Sequence, residues 1–129
     1  MRVYNKWHSM IKKELKKMNL THPQFVVLAS LAYLSQDSNE VTQVMISKLS
    51  GIDVMTVSQI LNLLEKNDFV KRKEHSRDTR AKAVILNKKG EEILQKAVPL
   101  VEKIDEIFFE KLDTDEEQFK HFLVRLNEE

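Results

Sequence analysis

The stretch from Val41 to Leu86 constrains the fold of this chain more than any other. Its hydrophobic spacing and turn residues predict two helices joined by a tight turn at Gly51, and then two strands around a charged tip. These elements are predicted at Gln43–Leu49, Val54–Asn67, Phe69–Glu74 and Ala81–Leu86. This order is typical of a winged helix-turn-helix, which offers one helix to a DNA major groove and a charged loop to the backbone or minor groove.

The second of these helices carries an outward face suited to reading bases. Asp53 is expected to cap its start, and its inward face is predicted from apolar residues at helical spacing: Val57, Ile60, Leu61 and Leu64. The other face has short side chains that can reach base edges, phosphates or thymine methyl groups: Val54, Met55, Thr56, Ser58, Gln59 and Asn62. A plain surface helix favours Glu and Lys, so a DNA-binding face is predicted. The alternative is an ordinary capped helix of an α-helical bundle.

The tip of the hairpin concentrates positive charge. Arg77 and Arg80 lie at the tip and Lys82 follows it. Because arginine suits the narrow and electronegative minor groove, these three residues are predicted to bind DNA. Asp78 is expected to orient the wing by pairing with Arg72, Arg77 or Arg80. The alternative interpretation is a solvated basic turn.

Charge is divided unevenly along a chain whose formal net charge is only +1. From Lys66 to Gly90, nine Lys and Arg residues stand against three acids, which gives +6. From Glu91 to Glu129, five basic residues stand against twelve acids, which gives −7. Such a chain is expected to turn its basic lobe toward a polyanion. Two solvated faces of opposite sign are the alternative.

Composition restricts the fold and the function classes. A length of 129 residues, with 32% charged residues and only two Gly and two Pro, predicts one mainly α-helical domain with a small β wing. The chain has no cysteine, no long apolar run and no signal-peptide pattern, which favours a cytoplasmic protein. Neither a nucleophile–base set nor a phosphate loop is found, so an enzyme is not expected. The four histidines are scattered, and we expect no metal site and no cofactor.

Helical patterns also precede the helix-turn-helix. An amphipathic helix is predicted within Met1–Leu20, and Thr21–Gln24 fits a capping box. The following helix, Phe25–Ser35, is apolar nearly all round, which is typical of a central, buried helix. Val41 is expected to form a short third strand beside the wing, and Thr42 to cap the next helix.

A long helix is predicted after the wing, over Lys88–Lys111, with Asn87 as its cap and a kink at Pro99. Thr114–Glu117 fits a second capping box, which would start a last helix. The apolar face of that helix consists of Phe119, Phe122, Leu123 and Leu126.

The terminal helices carry more apolar surface than a small winged domain can cover, and a second copy of the chain is the simplest partner. The expected organisation is a single domain, residues 1–129, with a DNA-binding lobe at 21–90 and dimerisation helices at 1–20 and 91–129. The alternative is that these helices fold back on their own domain.

The combined pattern resembles the MarR family of bacterial transcription regulators. The resemblance rests on Leu64–Arg72, on Asp78-Thr79-Arg80 and on Val84–Gly90, and it covers nearly the whole chain. It implies a triangular homodimer that binds a pseudo-palindromic operator, usually as a repressor relieved by a small molecule. It also implies that Arg80 enters the minor groove. The chain departs from many members at Gln59, where they carry Arg, and at Asn87, where Thr is usual.

The resemblance implies a small aromatic or amphipathic acid as effector, bound between the dimer helices and the winged lobe. Residues expected to line that pocket are Trp7, His8, Met10, Ile11, Phe25 and Leu28, and the alternative is that they are plain core and interface residues. For the whole chain, the alternative to a DNA-binding regulator is a winged-helix module that binds another protein without strong DNA binding.

Overall fold

The computed structural model describes residues 1–128 and has a mainly helical architecture with a small antiparallel sheet. The elements in chain order are α1 (Arg2–Lys16), α2 (His22–Ser35), β1 (Val41–Thr42), α3 (Gln43–Ser50), α4 (Val54–Lys66), β2 (Val70–Glu74), β3 (Lys82–Leu86), α5 (Lys88–Phe109), a 3-10 segment (Glu110–Asp115) and α6 (Glu116–Asn127). This order confirms the predicted winged helix-turn-helix between flanking helices.

Three helices begin at the side-chain caps that the sequence predicts. Thr21 Oγ1 accepts from the Gln24 amide at 3.1 Å, and the Gln24 side chain accepts from the Thr21 amide at 3.1 Å, which completes a capping box. Thr42 Oγ1 accepts from the Met45 amide, and Asp53 Oδ1 from the Thr56 amide. Each cap satisfies amides that have no partner inside the helix, and it fixes where the helix starts.

The sheet has the strand order β1-β3-β2, with both pairs antiparallel. Val41 pairs with Val84, which confirms the short third strand, and Val70 pairs with Leu86. The wing is therefore anchored on both sides of β3, next to the chain that enters α3.

The hydrophobic core surrounds α2, which contacts α1, α3, α4, α5 and β3. Val27, Leu28 and Leu31 on α2 are fully buried, as are Val57 and Leu61 on α4. Burial of an aliphatic side chain of this size stabilises a fold by about 1.5–3 kcal/mol. The inward face predicted for α4 is confirmed, because Ile60 and Leu64 are buried as well.

Two predicted caps make no capping hydrogen bond, although Asn87 does occupy the N-cap position of α5. Asn87 precedes α5, but its side chain makes no capping hydrogen bond and instead donates to the carbonyl and carboxylate of Asp68. Asp68 has a positive φ of 62°, so the amide of Asn87 holds the left-handed corner between α4 and β2. Thr114 lies inside the 3-10 segment, and α6 begins two residues later without a side-chain cap. The backbone at Asp115 is already helical, which is not the extended conformation that a capping residue needs.

Within residues 1–128, no single helix is both long and apolar enough to cross a membrane; α3 and α4 reach that length and hydropathy together, but they are bent by 112°.

Candidate DNA interface

The helix-turn-helix is built by a sharp corner between α3 and α4. Gly51 adopts a left-handed conformation with φ of 77°, which an L side chain rarely adopts. The Ser47 hydroxyl donates to the Ile52 carbonyl at 2.6 Å and closes the corner. The 112° bend between the helices lies in the range typical of DNA-binding helix-turn-helix units, and it leaves one side of α4 free of the core.

The outward face of α4 is largely accessible. Val54, Met55, Gln59 and Asn62 are exposed, and Met55 is 73% exposed. Ser58 is half-buried, and so is Thr56, whose hydroxyl donates to Asp53 Oδ2 at 2.6 Å. That hydrogen bond lowers the pKa of Asp53, which stays ionised at the positive end of the helix dipole.

A groove of about 640 Å³ separates α4 from the wing. It brings together six residues that the sequence analysis assigned to DNA contact or wing orientation: Val54, Ser58, Arg72, Asp78, Arg80 and Lys82. Met55, Thr56, Gln59, Asn62 and Arg77 do not line it.

Arg72 joins the wing to both helices of the helix-turn-helix. Its guanidinium donates to Asn62 Oδ1, to Gln43 Oε1 at 3.1 Å and to Glu65 Oε1 at 3.2 Å. Its backbone amide also donates to Glu65 at 3.2 Å. Arg72 lowers the pKa of Glu65 by hydrogen bonding and by its positive charge. The side chain of Arg72 is only 13% exposed and is held within this junction. The side-chain carbonyl oxygen of Asn62 accepts a hydrogen bond in the same junction.

At the tip, Asp78 pairs with Arg80, which is one of the three partners the sequence analysis allowed. Asp78 Oδ1 accepts from the Arg80 amide at 3.0 Å and lies 3.6 Å from Arg80 Nε. The Arg80 side chain is 92% exposed, and Arg77 and Lys82 are exposed too. The fold therefore presents the tip cations to solvent, and Asp78 holds the backbone at Arg80.

Sequence reasoning missed part of this surface. Gln43 and Val44 at the start of α3 line the groove, and Gln43 and Glu65 hold Arg72. The predicted Thr42 cap fixes where α3 begins, so it could have indicated that Gln43 and Val44 lie at this surface. Nothing in the sequence indicates that Glu65 meets Arg72, because that contact depends on how β2 crosses α4.

The residues predicted to line an effector pocket divide into two groups. Ile11 and Leu28 are fully buried and Phe25 is nearly so, whereas Trp7, His8 and Met10 are half-buried. Trp7 Nε1 donates to Asp105 Oδ1 at 2.7 Å, which ties α1 to α5.

A histidine pair joins α1 to α2 beside this tryptophan. The Nδ1 atoms of His8 and His22 lie 2.8 Å apart, so one ring donates and the other accepts. Burial, and then the neighbouring His8, lowers the pKa of His22. Among residues 1–128, no group of three or more His, Asp or Glu side chains is arranged to hold a metal ion.

Comparison with known proteins places this geometry in a family. A family profile described as "ArnR1-like, winged-helix domain" matches residues 16–105. An uncharacterised HTH-type transcriptional regulator, YdcH of Bacillus subtilis, is 37% identical over 103 residues, which span 80% of this chain and 70% of the relative.

Solved structures give the same result. The structure of Bordetella bronchiseptica BpsR, whose DNA binding is regulated by 6-hydroxynicotinic acid, aligns with a TM-score of 0.83 and 26% identity over 96% of this chain and 86% of that one. A mutant of Escherichia coli MarR complexed with operator DNA aligns with the same TM-score of 0.83 at 23% identity, over 96% and 86% of the two chains, and shows the fold. The chain therefore belongs to the MarR family of DNA-binding, winged helix-turn-helix transcription regulators.

Proposed function

We propose that this protein is a homodimeric repressor that binds a pseudo-palindromic operator and is released by a small-molecule ligand. The groove between α4 and the wing is the observation that carries the proposal, because it sets the short side chain of Ser58 beside the exposed cations Arg80 and Lys82. In this proposal α4 enters the major groove through Ser58, Gln59 and their neighbours, and Arg80 enters the adjacent minor groove.

Dimerisation is proposed through α1, α5 and α6, the helices that lie wholly or mostly outside residues 21–90. Large apolar side chains are exposed at this end of the molecule: Val3, Tyr4, Ile107, Phe122, Leu123 and Leu126. An apolar groove of about 460 Å³ lies beside them, with Phe108, Phe109 and Phe119 in its wall. A second copy that covered this surface would set the two winged lobes at a fixed separation, and half-sites about 34–36 Å apart would follow.

The effector is proposed to be a small aromatic or amphipathic acid. The regulation of BpsR by 6-hydroxynicotinic acid supports this chemistry by analogy. Trp7, His8 and Met10 can meet a ligand directly, since they are half-buried. Ile11, Phe25 and Leu28 can do so only if the core repacks, because little of their surface is exposed.

Selection of bound sequences from a random pool of DNA duplexes tests the proposal. A two-fold symmetric consensus is expected, with affinity that falls steeply as salt rises, because each phosphate contact releases a counterion. Replacement of Gln59 is expected to change base preference at one position of each half-site. A uniform loss over all sequences would instead make Gln59 a phosphate contact. Weak binding without a consensus would favour the alternative, a module that binds another protein.

A further inference from the structure

His75 stands at the entrance to the wing tip and binds the backbone of the tip from inside. Its Nδ1 atom accepts from the amide of Arg77 at 3.1 Å and from the amide of Asp78 at 3.2 Å. A backbone amide can only donate, so Nδ1 carries no proton and the ring proton is on Nε2. The arrangement reproduces an Asx-turn, in which a side-chain acceptor holds the amides two and three residues onward.

The other nitrogen of the same ring is held from outside the wing. His75 Nε2 lies 2.9 Å from Glu40 Oε2, and that oxygen also accepts from the Ser76 amide at 3.2 Å. Hydrogen bonding from Ser76 is the largest cause that lowers the pKa of Glu40, so this carboxylate is ionised near neutral pH. Glu40 immediately precedes β1, and it thereby connects the tip of the wing to the chain that enters α3.

We infer that His75 is a positioning residue for DNA binding, which orders the wing tip before the duplex arrives. The side chains of His75 and Glu40 are 19% and 28% exposed, in contrast with the 92% exposure of Arg80. The imidazole is thus turned into the base of the tip while the arginine projects from it. The hydrogen bond from the His75 amide to the Ala81 carbonyl, at 3.3 Å, closes the same loop.

An ordered tip matters because a flexible one must lose conformational entropy when it binds. This inference rests on the proposed function, since DNA is the ligand for which the tip is ordered. The contacts with Arg77, Asp78 and Glu40 are nonetheless present in the free protein and can be tested there.

Three variants separate the two roles of the ring. His75→Asn keeps an acceptor near the position of Nδ1 and is expected to preserve the tip. His75→Gln extends past that position and loses the acceptor, and Glu40→Ala removes the outer partner. For each variant, NMR of the full-length protein without DNA reports the order of the Arg77 and Asp78 amides, and titration with the selected operator over a range of salt gives the affinity and its salt slope.

We expect His75→Gln to disorder the Arg77 and Asp78 amides and to weaken operator binding by about five- to 150-fold, the range that corresponds to the loss of two ordinary hydrogen bonds. The salt slope should stay at the wild-type value, because the bound state still makes the same phosphate contacts. His75→Asn should restore both readouts, and Glu40→Ala should fall between the two histidine variants.

Two results overturn the inference. One is a His75→Gln variant whose Arg77 and Asp78 amides are as ordered as in the wild type. The other is a loss of affinity accompanied by a lower salt slope, which would make His75 a phosphate contact. If the wild-type protein binds no duplex, the proposed function fails, whereas the amide measurement still decides whether His75 orders the tip.

Discussion

Arginines of the wing differ in how much freedom the fold leaves them. Arg72 is held by three side chains of α3 and α4, whereas Arg80 meets the single side chain of Asp78 at 3.6 Å. An arginine whose N–H donors are already bonded inside the protein has few left to bind a phosphate. An exposed arginine has nearly all of its N–H donors available. We therefore assign a structural role to Arg72 and a contact role to Arg80.

Replacement of Arg80 by Ala is expected to weaken operator binding by about 1–3 kcal/mol and to lower the salt slope by about one, because one cation leaves the interface. Titration of the operator at several salt concentrations measures both quantities. Lys13→Ala is the matched control, since Lys13 is an exposed cation on α1, away from the wing. Wild-type affinity in Arg80→Ala would remove the minor-groove role.

The side chain of His22 is expected to make stability depend on pH near neutrality. Its pKa is lowered by burial, so the folded state binds fewer protons than the unfolded chain at slightly acidic pH. The free energy of unfolding is therefore expected to be highest above the ordinary histidine pKa of 6.5 and to fall as the pH drops below it.

Chemical denaturation between about pH 5 and 7.5 measures this effect, a range above the ordinary carboxylate pKa values. The carboxylates with lowered pKa, Glu40, Asp53 and Glu65, lose their contribution only at lower pH, because their ordinary values are 4.5, 3.8 and 4.5. A His22→Gln variant should show a flatter profile. Identical profiles in the two proteins would mean that His22 has the same proton affinity in the folded and unfolded states.

At the scale of the elements, two glycine positions are constrained for different reasons. Gly51 needs its left-handed backbone, but a Cβ there would meet no atom within 4 Å. Gly90, near the start of α5, has an ordinary φ, but a Cβ would lie 2.3 Å from the Phe69 carbonyl oxygen. The first glycine allows the helix-turn-helix corner, and the second allows α5 to lie against the beginning of the wing.

Asparagine substitution distinguishes these two reasons. Gly51→Asn should lower the free energy of unfolding by no more than about 1 kcal/mol, because Asn tolerates the left-handed region better than most L residues. Gly90→Asn should lower the free energy of unfolding by about 1–3 kcal/mol, as overpacking against fixed backbone does. Thermal or urea unfolding of both variants makes the comparison. Equal losses at the two positions would contradict this explanation.

At the scale of the whole molecule, the exposed apolar face of α6 is the feature that the isolated chain leaves unexplained. Leu123 and Val124 are neighbours in sequence and are 48% and 60% exposed, but a helix directs them about 100° apart. Leu123 belongs to the apolar face with Phe119, Phe122 and Leu126, and Val124 does not.

Leu123→Lys is expected to shift the protein from dimer to monomer, because it places a charge within the apolar surface proposed as the dimer interface. Val124→Lys, the control, should leave the dimer intact. Sedimentation velocity over a range of concentrations measures the oligomeric state. A monomeric wild-type protein, or equal dissociation of both variants, would contradict the proposed dimer surface.

The organisation of the chain could be predicted from sequence where it depends on residues close together along the chain. The caps at Thr21, Thr42 and Asp53 involve residues only three positions apart, and the buried face of α4 follows a helical period. These interactions form as soon as the backbone is helical, so the order of elements and the exposed face of α4 follow from the residues themselves.

Tertiary structure decided which polar side chains meet across the fold. Arg72 donates to Gln43, 29 positions away. The Asn87 side chain makes no capping hydrogen bond and donates instead to Asp68, 19 positions away. After α5, the chain turns at Asp113, which has a positive φ of 50°, and the ring centroids of Phe109 and Phe119 lie 6.0 Å apart. The cap predicted at Thr114 does not form. Such contacts depend on the crossing of elements that are remote in sequence, and a polar side chain with several partners within its reach takes the one that the packed core sets beside it.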